Sequence, residues 1–302
     1  MPTSLREYRS RIRSVEATRK ITRAMELIAA ARIVKARQQA AAARPYSRQI
    51  TQAISAAAAT ARSNHPLLTE KTDDSNRAAI LVVTSDRGLA GAYSANVLRT
   101  TERLIARIHN EGRDVALFCF GRKGLAYYTF RDRPVVASWL GHSDRPTFDV
   151  AREIGDTLIQ EFLTENTGVD DVHLVYTRFH SMIDHELVAV RMLPTEVVEG
   201  VTVPPPEELL PLYEFEPSPE EVLDALLPNY VHHRIYAVLL QAAACEHASR
   251  QRAMKAATDN ADELIRLYTR NANQARQASI TQEISEIVGG VNALADANVL
   301  ET

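Results

Sequence analysis

From about Tyr230 to about Ala297 the chain contains no proline, and its only glycines are the adjacent pair Gly289 and Gly290. The stretch is expected to be one uninterrupted helix, and at about 1.5 Å per residue it would be on the order of 100 Å long, several times the diameter of a small domain. A rod of that length cannot pack along its whole length inside its own domain, so the remainder of the chain has to be arranged around it. Its apolar residues follow 4,3 spacing: Val231, Ile235, Val238, Ala242 and Cys245, then Ala257, Ala261, Leu264, Tyr268, Asn271, Ala275 and Ala278 out of register, then Ile280, Ile284, Ile287, Val291 and Leu294. That pattern predicts a coiled-coil stripe with register shifts, and the many alanines in it predict a closely approaching partner.

A second rod is expected at the opposite end. Between Ser4 and Arg44 there is neither glycine nor proline, and Ser4 with Glu7 has the form of a capping box. Apolar stripes are read through Ile21, Met25 and Ile28 and through Leu27, Ala31 and Val34. Pro45 should kink this helix without ending it, because Ile50, Ile54, Ala57 and Ala61 resume the spacing. Two rods with narrow apolar stripes at the two ends of a chain are expected to pair antiparallel, each covering the face the other exposes.

Between the rods the pattern changes. Asn64 to Arg77 is polar and turn-rich. Strands are expected at Ala79 to Thr84, Asp114 to Phe120, Pro134 to Trp139, Val172 to Phe179 and Glu186 to Leu193, and helices at Ser94 to Asn110, Arg122 to Phe130 and Phe148 to Leu163. Alternating strands and helices predict a small α/β domain with a largely parallel sheet, its last two strands a hairpin. A connector rich in proline and glutamate, Pro194 to Pro219, leads into the last helix, whose first turns suit Ser218, Glu220 and Glu221; Pro228 should separate a short lead-in helix from the long one. The expected fold class is therefore a mix of α+β and α/β: a long antiparallel coiled coil of the N- and C-terminal helices with a central Rossmann-like α/β domain. The boundaries expected are 1–63, 77–200, 201–227 and 228–302.

Charge is distributed unevenly. The net charge is only −3, yet residues 1–62 hold 13 Lys or Arg against 3 Asp or Glu. A basic helix presents positive charge over tens of ångströms and implies an acidic partner; with Tyr8 as its only aromatic before Tyr46, it is poorly equipped to stack bases, which argues against nucleic acid. No run of about 18 apolar residues offers a membrane span, and Cys119 and Cys245 read as buried small apolar residues of a protein kept in a reducing compartment. The nine histidines are read as exposed or interface residues, since they fall at no metal-ligand spacing. The loop Ser85-Asp86-Arg87-Gly88-Leu89-Ala90-Gly91 sits between a strand and a helix, where phosphates can bind. It has neither phosphate-loop spacing nor a lysine, so it reads first as a structural turn capped by Asp86. No catalytic residues, cofactor site or metal site are expected.

Four stretches carry a resemblance: Ile12 to Ala36 (IRSVEATRKITRAMELIAAARIVKA), Ser85 to Gly91 (SDRGLAG), Met254 to Ala261 (MKAATDNA) and Ala275 to Gly290 (ARQASITQEISEIVGG). In order and spacing they resemble the gamma subunits of bacterial F-type ATP synthases over essentially the whole chain. The resemblance differs at Cys245 to Gln251, where the family commonly has S-E-x-x-A-R-M, and at Ala90 to Ser94. It implies a central shaft inside a ring of three alpha and three beta subunits, with the α/β domain at the foot beside the epsilon subunit and the c-ring of Fo, peripheral on the cytoplasmic side of the cell membrane and without direct insertion. It further implies subunit-interface roles for Lys20, Arg23, Met25, Arg250, Arg276, Gln277, Thr281 and Glu283. Two other classes stay open on the residues alone: a coiled-coil scaffold or adaptor with an inserted α/β domain, and a nucleotide-binding enzyme using the SDRGLAG loop.

Overall fold

The computed structural model describes residues 5–61, 65–71, 75–165, 168–195 and 215–299, with the side chains of 44, 59–61 and 291–299 outside the description. The expected cap at Ser4, most of the proline-rich connector and the apolar positions Val291 and Leu294 therefore lie outside the described residues. Ten elements follow in order: α1 (Leu5–Ala61), β1 (Arg77–Val83), α2 (Tyr93–Asn110), β2 (Asp114–Phe120), α3 (Arg122–Phe130), β3 (Val135–Trp139), α4 (Phe148–Leu163), β4 (Asp171–Phe179), β5 (His185–Leu193) and α5 (Pro219–Val299). The strands and the three shorter helices form where the pattern placed them, with ends within two residues. The chain divides into two compact units, one of residues 1–27 with 253–302 and one of residues 28–252.

The central unit is built on a five-stranded sheet of order β3-β2-β1-β4-β5. β1 pairs parallel with β2 and β4, β2 pairs parallel with β3, and β4 and β5 form the antiparallel hairpin. β1 is buried on both faces, which is why its apolar run is continuous rather than alternating. Its period of two divides the core. Ala79, Leu81 and Val83 face a layer made by α4, by Ile50, Ile54 and Ala57 of α1, and by Leu223, Leu227, Val231 and Ile235 of α5. Ala78, Ile80 and Val82 face Val97, Leu104, Ile105 and Ile108 of α2 and Tyr128 of α3. Both cysteines are buried and free.

Pro228 does not separate two helices: α5 runs through it from Pro219, with the Ser218 hydroxyl accepting from the Glu221 backbone N–H at 3.2 Å. An interior proline costs about 3 kcal/mol. Leu223, Leu227 and Val231 are all fully buried on the face that spans it, and burying two or three such side chains contributes roughly 1.5–3 kcal/mol each, enough to hold the helix straight through the lost hydrogen bond. α1 likewise stays helical across Pro45.

The apolar stripes of α1 are not where its largest side chains suggested. Ile21 and Leu27 are 60% and 58% exposed, and Ile28 and Val34 are also exposed. In the unit of residues 1–27 and 253–302, the positions turned inward are Tyr8, Ile12, Val15, Arg19, Thr22 and Glu26 on α1. On α5 they are Met254, Thr258, Ala261, Ile265, Tyr268, Ala272 and Ala275. Leu264 and Ala278, read as core, are exposed. Both sets keep 3,4 spacing, but the α5 set is rotated by one residue at every second position, to Thr258, Ile265 and Ala272. The reason is closeness. Thr22 and Thr258 hydroxyls meet at 2.8 Å while bonding back to the Arg19 and Met254 carbonyls, Arg19 pairs with Asp262 at 2.8 Å, and the rings of Tyr8 and Tyr268 lie 6.4 Å apart. As the α1 number rises the α5 number falls, so these segments run in opposite directions. Small and hydroxylated residues at Thr22, Thr258, Ala261 and Ala272 allow that approach, while Ile21, Leu27, Leu264 and Leu267 are turned outward.

One tight contact in the central unit ties β1 to α3. The Thr84 hydroxyl donates to the Phe120 carbonyl oxygen at 3.0 Å and accepts from the Gly124 N–H at 2.9 Å. Gly121 has φ +95°, and a Cβ on it would overlap the Thr84 carbonyl. Gly121→Ala should therefore destabilise the protein by roughly 2–4 kcal/mol, combining a left-handed φ with a backbone clash. Urea unfolding followed by circular dichroism checks this; an unchanged midpoint would contradict it.

Candidate functional site

The polar chemistry of the central unit is concentrated where α5 crosses the end of the sheet. Glu246 and Arg250 stand one turn apart on α5, both buried, with Arg250 Nη2 on Glu246 Oε1 at 2.6 Å. Arg250 Nη1 also lies 3.6 Å from Asp144 Oδ1, in the segment between β3 and α4. Asp144 Oδ2 accepts from Arg32 of α1 at 2.7 Å and lies 3.4 Å from Arg87 Nη1. The His247 Nε2 pairs with the Asp144 carbonyl oxygen at 3.1 Å.

The SDRGLAG loop is held inside this cluster. Asp86 accepts from the Arg122 N–H at 3.0 Å and the Ser143 N–H at 2.9 Å, and its own N–H donates to the Ser143 hydroxyl at 2.8 Å. Ser85 pairs with Ser94 at 2.8 Å. Arg250 approaches the Arg87 and Gly88 carbonyl oxygens at 3.5 and 3.4 Å. The C-terminal edge of a parallel sheet is where doubly wound folds bind nucleotides. Here the carbonyl oxygens of Arg87 and Gly88 in the loop at the end of β1 face the Arg250 side chain from the chain's own α5, while Arg87, Gly88 and Leu89 stay exposed. Asp86 works as the structural turn cap the sequence suggested.

Burial and charge compete in this cluster. Burial works against the Asp144 carboxylate, but Arg250, Arg32, His247 and Arg87 overcome it and hold it below the usual carboxylate range. Burial likewise opposes Asp86, and the backbone N–H groups of Gly141, Ser143 and Arg122 with the Ser143 hydroxyl hold it low. For Glu246 burial wins, and its carboxyl is pushed up to about 7 against the pull of Arg250. Burial also lowers His247. Six of the nine histidines are exposed or half-buried, as expected, but His173, His232 and His247 are buried; His232 pairs with Asp156 at 2.7 Å, and His233 lies between the Tyr46 and Phe148 rings. Among the described residues no group of three or more His, Cys, Asp or Glu could hold a metal ion.

The residues singled out from sequence fall into two surface groups and one interior residue. Lys20 and Arg23 are exposed on α1 and Met25 is half-buried within the same two turns; Arg23 pairs with Glu26 at 2.9 Å. Arg276, Gln277, Thr281 and Glu283 are exposed within about two turns of α5, where Thr281 bonds the Gln277 carbonyl oxygen at 3.0 Å and Ser279 donates to Glu283 at 3.4 Å. Arg250 stands apart, turned into the interior and occupied by Glu246 and Asp144. The outward charge of the basic helix is reduced by internal pairs at Arg11, Arg19, Arg23 and Arg32. Asp144 and Glu246 went unnoticed in the sequence because each looks like an ordinary surface acid; an E-x-x-x-R spacing beside buried small residues was the available signal.

Every residue from Arg276 to Gly290 is exposed, including Ile280, Ile284, Ile287 and Val288, so none of the described residues covers that length of helix. No helix among the described residues is long and apolar enough to cross a membrane.

Ionisation of the buried Glu246 opposes folding. Its contribution is fully favourable below pH about 4.5 and is lost as pH rises through its folded value of about 7. Glu246→Gln should remove that part of the slope. Urea midpoints at pH 5 and pH 8 should differ less in the variant than in the parent, and parallel slopes would contradict the assignment.

A family model described as ATP synthase matches residues 4–294. The chain is 62% identical to the ATP synthase gamma chain of a Nocardioides species over 299 residues, 98% of each chain. It is 59% identical to that of Kineococcus radiotolerans over 299 residues, 98% of this chain and 99% of the other. In fold it is similar to a chain in the Euglena gracilis mitochondrial ATP synthase, in a structure of OSCP, F1 and c-ring, with TM-score 0.62, 18% identity, and 96% and 94% of the two chains covered. It is also similar to a chain of the central stalk and c-ring of the Tetrahymena thermophila mitochondrial ATP synthase, with TM-score 0.57, 20% identity, and 78% and 99% covered. With the family model spanning nearly all of its length and close relatives matching end to end, the chain belongs to the ATP synthase gamma chain family.

Proposed function

We propose that this chain is the central rotor shaft of a bacterial F-type ATP synthase. It turns inside a ring of three alpha and three beta subunits and couples transmembrane proton flow to ATP synthesis or hydrolysis at the beta-subunit sites. The chain is a non-catalytic subunit; its partners are the alpha and beta subunits, the epsilon subunit and the c-ring of Fo. The observation that carries this reading is the stretch of α5 from Arg276 to Gly290, exposed on all sides and carrying Ile280, Ile284, Ile287 and Val288. An isolated helix is marginal in water, and one whose apolar stripe at Ile280, Ile284, Ile287 and Val288 lies uncovered needs a partner surface, which an enclosing ring provides.

In this reading α1 and α5 form an antiparallel coiled coil, supported by the 3,4 seams and the Thr22–Thr258 and Arg19–Asp262 pairs. Residues 1–63 and 228–302 serve as the shaft, 77–200 as the foot and 201–227 as the connector. Lys20, Arg23 and Met25 meet acidic loops of the beta subunits, and Arg276, Gln277, Thr281 and Glu283 meet a loop higher in the ring. Arg250 braces the foot from within rather than touching a partner. The chain is held at the cytoplasmic face of the cell membrane through the complex.

A single asymmetric rod inside a ring of three like sites presents a different face to each. Moving a two-state site from almost wholly open to almost wholly closed takes about 5.5 kcal/mol of differential contact. Charge-assisted hydrogen bonds contribute roughly 1.5–3 kcal/mol each, so the few exposed residues on each helix suffice.

Mixing the chain with alpha and beta subunits should yield a stable ring that hydrolyses ATP; a mixture that neither assembles nor hydrolyses would refute the shaft role. Met25→Lys sets a new cation beside Lys20 and Arg23. It should leave assembly intact while lowering the number of protons pumped per ATP in membrane vesicles, and an unchanged ratio would count against the assigned interface.

A further inference from the structure

We propose that Asp144 is the residue that locks both long helices to the sheet domain, so that rotation imposed on the foot reaches α1 and α5 together. The inference rests on the shaft reading above and adds to it a specific contact that passes torque.

Asp144 is the point where the separate elements of the central unit meet. Its Oδ2 takes the Arg32 guanidinium of α1 at 2.7 Å. The same oxygen lies 3.4 Å from Arg87, in the loop that follows β1. Its Oδ1 lies 3.6 Å from Arg250 of α5, and its carbonyl oxygen pairs with His247 of the same helix at 3.1 Å. The neighbouring Ser143 is fixed in turn, its N–H and hydroxyl both bonded to Asp86 at 2.9 and 2.8 Å. One carboxylate therefore joins α1, the β1–α2 loop and α5, and the segment that carries it is pinned to the sheet.

Most of the other contacts between the helices and the sheet are of a different kind: Ile50, Ile54, Leu223, Leu227 and Val231 are buried apolar side chains, and burial of apolar area is non-directional and resists separation far more than sliding. Further polar contacts, His232 with Asp156 at 2.7 Å and Arg252 with the Ile183 carbonyl oxygen at 3.2 Å, each hold α5 alone, whereas Asp144 holds both helices. Charge-assisted hydrogen bonds fix distance and angle. Under a twisting load the apolar layer keeps the parts together, and the ion pairs keep them in register. Asp144 is only 16% exposed on its side chain, so salt screens it weakly. Removing its charge leaves the apolar layer intact while freeing three guanidinium groups from their common partner.

The test separates load from chemistry. Hydrolysis by the soluble ring with this chain turns the shaft without drawing torque through the foot, whereas ATP synthesis in membrane vesicles requires every step of rotation to pass from the c-ring through the foot to the helices. In Asp144→Asn, hydrolysis by the soluble complex should match the parent. ATP synthesis at a fixed proton-motive force should fall by roughly tenfold or more, the population change that goes with losing one charge-assisted bond. Arg32→Gln, which releases α1 alone at a partly exposed position, should give a smaller loss of the same kind, and it decides the matter if Asp144→Asn fails to assemble. Equal losses of hydrolysis and synthesis, or synthesis at the parental rate in both variants, would overturn the proposal. If the parent complex itself synthesises no ATP, the shaft reading fails instead.

Discussion

Burying Glu246 and Arg250 on successive turns of one helix removes two charged groups from water, and that cost has to be met by partners with good geometry. Much of the central unit's polar architecture can be understood from this requirement. Arg250 is met by Glu246, by Asp144 and by the carbonyl oxygens of the loop after β1. Asp144 needs more than Arg250, and takes Arg32 and Arg87. To bring Asp144 there, the segment after β3 must fold back, which Asp86 secures through Ser143. The loop between β1 and α2 is thus shaped by a demand set on α5, distant in sequence.

The contrast with the unit of residues 1–27 and 253–302 is one of material. There the most deeply buried residues are mostly small or hydroxylated, Thr22, Thr258, Ala261 and Ala272, with Tyr8, Ile12, Ile265 and Tyr268 half-buried beside them. The energy of such a seam lies in close approach and paired hydroxyls more than in apolar area, since an alanine removes little surface from water. Bulk is kept for the outside, at Ile21, Leu27, Leu264 and Leu267. For a chain whose business is with partners on every side, large side chains on the surface supply contact area where the partners are.

Most of the fold was legible because period and punctuation sufficed: β-branched runs gave the strands, glycine and proline gave the breaks. What misled was size used as a proxy for burial. Ile21, Leu27, Ile28 and Val34 looked like core and are surface, because a helix that meets both its own chain and other subunits is apolar on more than one face, and sequence does not say which face meets which. Pro228 misled for a related reason: the burial of Leu223, Leu227 and Val231 around it outweighs its local preference, and that burial is tertiary information. The polar site was half legible. The SDRGLAG loop stood out, but its partners Asp144, Glu246 and Arg250 are scattered over more than a hundred positions, and only folding brings them to one point.

The uncovered length of α5 has a consequence for how the cell handles this chain before assembly. Between Arg276 and Gly290 none of the described residues shields Ile280, Ile284 and Ile287. An unassembled copy therefore displays the kind of surface that chaperones and proteases recognise in incompletely folded proteins, while a copy inside a ring hides it. The same stretch that serves the finished machine also marks every surplus copy for disposal, which would keep the number of shafts matched to the number of rings without any separate control.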